Sequence, residues 1–194
     1  TLTNRETWVF CISDMLSFGN YKAVAKAIER MTKDGTIKRL FHGVYYYPLL
    51  NHLFNREYPP QLEDVANALA RNNNWEIIET GSTALYKLGL DNQIPMNFIY
   101  LSSGPYKKYT VDNRTIEFKN ASSSNFKFIN NSGLIIQALK ALGDSNINDD
   151  ILLKMSNKLN MHEKENLLEN LRFAPVWMHK YLKFIGDLNN EKHR

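Results

Sequence analysis

The chain has 194 residues, 43% of them hydrophobic, and a formal net charge of +4, which allows a buried core and excludes a polycation. Its single cysteine, Cys11, excludes an intrachain disulfide and makes a reducing cytoplasm the expected setting. No apolar run reaches the roughly 20 residues of a membrane span, and Thr1-Leu-Thr-Asn-Arg-Glu6 is too polar for the core of a signal peptide, so no membrane partner is expected.

The opening on Thr in place of Met leads us to expect native residues upstream and a shortened first helix. Ile12-Ser-Asp-Met-Leu16 reads as a helix starting near Ser13 or Asp14, and Phe18-Gly19-Asn20 as a turn with Asn20 as the cap of the next helix. Over Tyr21 to Lys33 a helical advance of about 100° per residue gathers Val24, Ala27, Ile28 and Met31 on one stripe. Lys22, Lys26, Arg30 and Lys33 then fall nearly opposite. Gly35 stands where a left-handed residue ends a helix, and the alternation of Ile37 and Leu40 with Val44 and Tyr46, across Phe41-His42-Gly43, predicts a hairpin. Helix, turn, helix and hairpin in that order are a winged helix-turn-helix.

Charge agrees with a nucleic-acid partner for this head. Residues 1–48 hold Arg5, Lys22, Lys26, Arg30, Lys33, Lys38 and Arg39 against Glu6, Asp14, Glu29 and Asp34, a local excess of cations that duplex DNA would neutralise. With the helix from Tyr21 in the major groove, Asn20, Tyr21 and Lys22 are the candidates for base edges. Lys26, Arg30, Lys33, Lys38, Arg39 and His42 are the candidates for phosphate. Tyr45-Tyr46-Tyr47 is read mainly as packing under the hairpin, because alternate strand residues face opposite sides. Trp8, Trp75 and Trp177 are read as core.

Leu49 to Pro60, with His52, Asn55, Arg56 and Pro59-Pro60, reads as a connector, which divides the chain into a head at residues 1–50 and a larger domain at 61–194. The second part opens with a helix over Leu62 to Asn73 and a strand over Trp75 to Glu79. Gly81-Ser82-Thr83 then forms a turn that caps a helix ending at Gly89. Asn97 to Ser103, Lys108 to Asp112 and Thr115 to Lys119 read as strands of an antiparallel meander, the last two joined across Asp112-Asn113. Helices follow over Leu134 to Leu142, Asp149 to Leu159, His162 to Phe173 and Pro175 to Leu188. The predicted class is α+β, without internal repeats.

Catalytic and metal chemistry find little support in these residues. His42, His52, His162, His179 and His193 lack ligand-like spacing and a cysteine pair, so neither metal nor cofactor is expected. Gly81-Ser82 resembles the Gly-Ser turn of nucleotidyltransferases, yet only Asp91 lies near the distance at which metal-binding carboxylates follow, with no Asp-x-Asp or Asp-x-Glu pair. A hydrolase built on Ser82 lacks the Gly-x-Ser-x-Gly elbow. The expectation is a non-enzyme in which Gly81-Ser82 is a turn and a cap. Tyr106-Lys107-Lys108-Tyr109 with Arg114 is read as a solvated hairpin, with a second nucleic-acid or partner contact as the alternative.

Several segments in order resemble the AbiEi-type antitoxins of abortive-infection toxin–antitoxin systems: Ile12-Ser-Asp-Met-Leu16, Ala23 to Met31 before Asp34-Gly35, Arg39-Leu-Phe-His-Gly-Val-Tyr45 with Pro48, Gly81-Ser-Thr-Ala-Leu85 with Leu88-Gly-Leu90, and Phe98-Ile-Tyr-Leu-Ser102. The resemblance covers roughly residues 8–120. It implies a winged helix that binds inverted repeats in its own promoter and represses the operon, possible self-association on that DNA, and a second domain with antitoxin activity. It also implies a cognate nucleotidyltransferase-like toxin, opposed functionally and without need of a stable complex. The alternative function is a protein-interaction module that masks a toxin directly without binding DNA, and after it a nucleotidyltransferase-like enzyme.

Overall fold

The computed structural model describes residues 7–51, 55–128 and 130–187. His52, His193 and Leu188, named above, lie outside the described residues. The fold is α+β and divides into two compact units, the first ending at Trp75 and the second beginning at Glu76.

The first unit opens with β1 (Val9–Cys11), whose three residues are all buried. Sequence reading missed this strand, since three apolar residues without alternation carry no period. Ile12–Phe18 forms a 3-10 helix where an α-helix was predicted. Asp14 Oδ2 accepts from Cys11 N at 3.0 Å and closes its first turn. α1 (Tyr21–Lys33) starts at Asn20, whose Oδ1 accepts from Ala23 N at 3.0 Å, as the sequence led us to expect. β2 (Lys38–Phe41) and β3 (Val44–Tyr46) form the predicted hairpin, and β1 pairs with the free side of β3, so the sheet order is β1-β3-β2, antiparallel throughout. Phe10, Val24, Ile28 and Ile37 form the core beneath it.

The segment read as a connector holds an antiparallel ribbon, β4 (Leu50–Asn51) with β5 (Arg56–Glu57). α2 (Leu62–Asn73) follows, and here the expected boundary between residues 50 and 61 gives way to one after Trp75. α2 packs on β1 and β3, and Arg71 forks onto Asp14, Nε to Oδ1 and Nη2 to Oδ2, both at 2.9 Å. Its helical pattern was correctly read; which unit it completes is a tertiary property that pattern does not carry.

In the second unit β6 (Ile77–Glu79), α3 (Ser82–Leu88), β7 (Asn97–Ser102), β8 (Lys107–Val111) and β9 (Arg114–Asn120) precede α4 (Asn130–Leu142), α5 (Asp149–Ser156), α6 (Met161–Glu169) and α7 (His179–Asp187). The sheet order is β6-β7-β9-β8, with β7 and β9 parallel. This corrects the antiparallel meander. The 112–113 hairpin is present, but β9, whose Ile116 and Phe118 are fully buried, takes the centre, and β8, with exposed Lys107 and Lys108, is left at the edge. The crossing turn is held by Ser102 Oγ, which accepts from Gly104 N at 3.0 Å, and by Asn120 Nδ2, which donates to Gly104 O at 2.9 Å. Behind the sheet, Leu139, Met155, Leu167, Met178, Leu182 and Ile185 knit the four helices into one core. Buried Glu163 joins two of them: its carboxylate accepts from Asn160 N at 2.9 Å and Asn131 N at 3.2 Å.

Two predictions concern the attachment of α2. Gly43 at the hairpin tip has φ +77°, and a Cβ there would lie 2.4 Å from Asn72 Oδ1; Gly35, at φ +80°, has nothing within 4 Å. Gly43→Ala should carry the same left-handed backbone cost as Gly35→Ala, about 1–2 kcal/mol, and should also push the Asn72 side-chain amide away from His42 O. A melting temperature for Gly43→Ala above that of Gly35→Ala would refute the contact. Burial raises the Asp14 carboxyl, but the hydrogen bonds from Arg71 and Cys11 outweigh it and hold the group below the ordinary carboxylate range. A carboxylate depressed in the folded state stabilises above its unfolded pKa, about 3.9, and loses that contribution as pH falls through the folded value. Asp14→Asn should thus be less stable than wild type at neutral pH, the gap narrowing in acid, as read by melting curves from pH 7 to pH 3.

Candidate nucleic-acid interface

α1 buries Val24 and Ile28 and exposes Lys22, Lys26, Arg30 and Lys33, so the basic stripe lies on its open side. Its members are not equivalent. Lys22, Lys26 and Arg30 make no ion pair among the described residues. Lys33 Nζ lies 2.8 Å from Glu29 Oε1, one helical turn earlier, and Lys38 Nζ donates to both oxygens of Glu57, at 2.6 and 2.7 Å. These bonds raise both lysine pKa values and lower that of Glu29. At the hairpin, Arg39 Nε donates to Phe41 O at 3.2 Å and Nη2 lies 2.9 Å from His42 Nδ1, so both side chains sit at the exposed tip.

The residues proposed for base edges are at the open end of α1. Tyr21 and Lys22 are exposed, and so is Asn20. The Asn20 carbonyl is committed to the cap, which leaves its amide as the group able to face a base. Glu29 and Glu57 are the groups that sequence reasoning missed. The i,i+4 spacing of Glu29 and Lys33 was a readable signal; nothing local announces Glu57.

The apolar side of α1 is less covered than its stripe predicts. Trp8 is 57% exposed and Phe18 83% exposed, and with Ala23, Ala27, Met31 and Tyr47 they line an open groove of about 330 Å³. Trp8 is therefore not core. It stacks on Phe10, ring centroids 4.7 Å apart, and Phe10 lies 6.0 Å from Tyr45. Trp177 is also exposed, at 38%, and meets Tyr181 edge to face. Of the tyrosine triplet, Tyr45 and Tyr46 are half-buried and Tyr47 is exposed.

In the second unit, Gly81, Ser82 and Thr83 come together at the start of α3. Gly81 occupies the cap position, and Ser82 is exposed in the first helical turn without a capping bond, so the cap expected from Ser82 is absent. Thr83 is the anchor: it is buried, and its Oγ1 accepts from Ile99 N of β7 at 2.9 Å. Thr80 Oγ1 donates to buried Gln137 Oε1 at 3.3 Å. The nearby acids are engaged locally, Glu79 with Lys87 and Asp91 with Gln93 N at 2.9 Å. Tyr106, Lys107 and Lys108 are exposed, while Tyr109 packs edge-on against Phe118. Among the described residues no three His, Cys, Asp or Glu side chains converge as metal ligands, and no helix is long and apolar enough to cross a membrane.

The chain belongs to a family of unknown function, DUF6088, which it matches over residues 2–167. No curated protein matches it. Among solved structures, the crystal structure of the RV2827C protein from Mycobacterium tuberculosis is similar, with 13% sequence identity and a TM-score of 0.44, over 92% of this chain and 71% of that one.

The geometry at Gly81-Ser82-Thr83 separates its residues by experiment. Thr83→Val keeps the shape and leaves the half-buried Ile99 N–H without this partner, which should cost about 1 kcal/mol. Ser82→Ala should change stability by less than about 0.5 kcal/mol. Thermal melting of the two variants reads the difference, and a Ser82→Ala loss matching that of Thr83→Val would overturn this division of roles.

Proposed function

We propose that this protein binds duplex DNA through its first unit, represses its own operon at inverted repeats, and acts as the antitoxin of a nucleotidyltransferase-like toxin. The observation that carries the DNA reading is the set of Lys22, Lys26 and Arg30, exposed and without ion pairs among the described residues on the open side of α1, beside a hairpin tip bearing Arg39 and His42. Cations in that state release DNA counterions at no internal cost. Helix, turn, helix and hairpin support a winged helix-turn-helix with Asn20, Tyr21 and Lys22 nearest the bases.

One such head spans few base pairs, so an inverted repeat is read by two copies, each on a half-site. The antitoxin part rests on the resemblance to AbiEi-type antitoxins, in which antagonism needs no stable toxin complex. This reading includes no catalytic step: Gly81, Ser82 and Thr83 are scaffold. The second reading, a module that masks the toxin by direct contact, is favoured by one observation, the apolar groove beside Trp8 and Phe18. Toxin that co-purifies through high salt and is lost on Phe18→Ser, with no promoter binding, would select it.

Titration onto the promoter duplex at several salt concentrations tests the first reading. Lys26→Ala and Arg30→Ala should each weaken binding and flatten the slope of log K against log salt by about 0.9, the value for one phosphate contact. Affinity and slope unchanged in both variants would remove the stripe from the interface.

A further inference from the structure

On the reading that the first unit binds DNA, Lys38 is the anomaly among its cations. Its ammonium straddles the Glu57 carboxylate, 2.6 Å from one oxygen and 2.7 Å from the other, so two of its three donors are already committed. Among the cations of the candidate interface, Lys33 also meets a carboxylate, a single oxygen of Glu29 at 2.8 Å with side chains 75% and 63% exposed; the Lys38–Glu57 pair is 47% and 37% exposed. The partners also differ in origin. Glu29 lies one turn away on the same helix, whereas Glu57 is delivered by β5 to the first residue of β2.

We propose that Glu57 is an intramolecular stand-in for a DNA phosphate, which occupies Lys38 and lowers the affinity of the first unit for DNA of arbitrary sequence. A carboxylate and a phosphate offer an ammonium the same thing, a fixed anionic oxygen. Binding of Lys38 to DNA therefore requires the pair with Glu57 to break first, a cost set against the counterion release that the new phosphate contact brings. It also leaves Glu57 uncompensated beside the polyanion. Among the described residues, Lys22, Lys26 and Arg30 hold no carboxylate in an ion pair that DNA would have to displace. Glu57 thereby sets the balance between general electrostatic attraction and the contacts at the open end of α1 that read sequence. Because the pair is partly solvated, its bias is modest and reversible, as measured values for exposed ion pairs indicate.

The test is a double-mutant cycle on the full chain, with a mixed-sequence DNA duplex two helical turns long as the probe and fluorescence anisotropy at several salt concentrations as the readout. Glu57→Gln keeps size and removes charge. It should tighten binding about two- to fivefold and steepen the salt slope by about 0.9, one newly available phosphate contact. Lys38→Ala should leave the wild-type slope unchanged, and Glu57→Gln added to Lys38→Ala should produce no steepening, which separates release of Lys38 from the general loss of a negative charge. Thermal melting of each variant confirms that it folds. Steepening by Glu57→Gln in the absence of Lys38, or a wild-type slope that already falls by about 0.9 on Lys38→Ala, would overturn the inference while leaving DNA binding intact. A wild type that binds no duplex at any salt, while Lys26→Ala and Arg30→Ala behave as it does, would overturn the DNA reading and this inference with it.

Discussion

The first unit depends on the docking of α2 against β1 and β3, fixed at one point by the fork of Arg71 on Asp14. A three-stranded sheet with strands of three or four residues has little area of its own to bury. α2 supplies it, with Leu62, Val65, Ala66 and Leu69 essentially inaccessible to solvent. The fork adds direction to that burial. Asp14 closes the first turn of the 3-10 helix through Cys11 N, so one carboxylate couples the start of that 3-10 helix to α2. At the next residue of α2 after Arg71, Asn72 meets the tip of the hairpin at His42 and Gly43. The attitude of the hairpin tip is therefore set by a helix more than a dozen residues downstream of it.

Electrostatics on the open side of α1 are more selective than a count of cations implies. Three cations are uncommitted, two are answered by carboxylates, and Arg39 is tied to the hairpin turn. The net excess of the head thus understates how uneven its surface is. Long-range attraction depends on the total charge, but a phosphate contact requires a donor that is not already engaged. Glu29 and Glu57 each lower the first by one charge, and by pairing they also restrict the second.

What was legible in the sequence was local. The N-cap at Asn20, the left-handed stop at Gly35, the hairpin across His42-Gly43 and the turn at Asp112-Asn113 all rest on a few adjacent residues, and all are present. Readings that needed a distant partner went astray. β1 and the ribbon of β4 and β5 exist through pairing with strands whose positions periodicity does not supply. The parallel pairing of β7 with β9 is likewise a topological choice, made when the more apolar strand takes the interior and the lysine-bearing one the edge. Trp8 shows the limit of composition: its neighbours are apolar, yet it lies on the open rim of a groove. At the candidate interface every proposed residue is exposed, while the partners of Lys33 and Lys38 went unread: Glu29 lies on the same face of α1 one turn before Lys33, and Glu57 comes from β5.

The place of α2 in the first unit also changes what a fragment carrying the candidate interface must contain. A head cut at residue 50 keeps α1 and the hairpin but loses Arg71, Asn72 and the apolar face of α2, leaving Asp14 without its cation. It loses Glu57 as well, so Lys38 stands unopposed. On the proposed DNA reading, such a fragment would combine a weakened fold with an exaggerated attraction to any duplex, two errors that could cancel in a single affinity measurement. The unit that keeps the geometry of the interface together with its counter-ion runs through Trp75, where the chain itself divides.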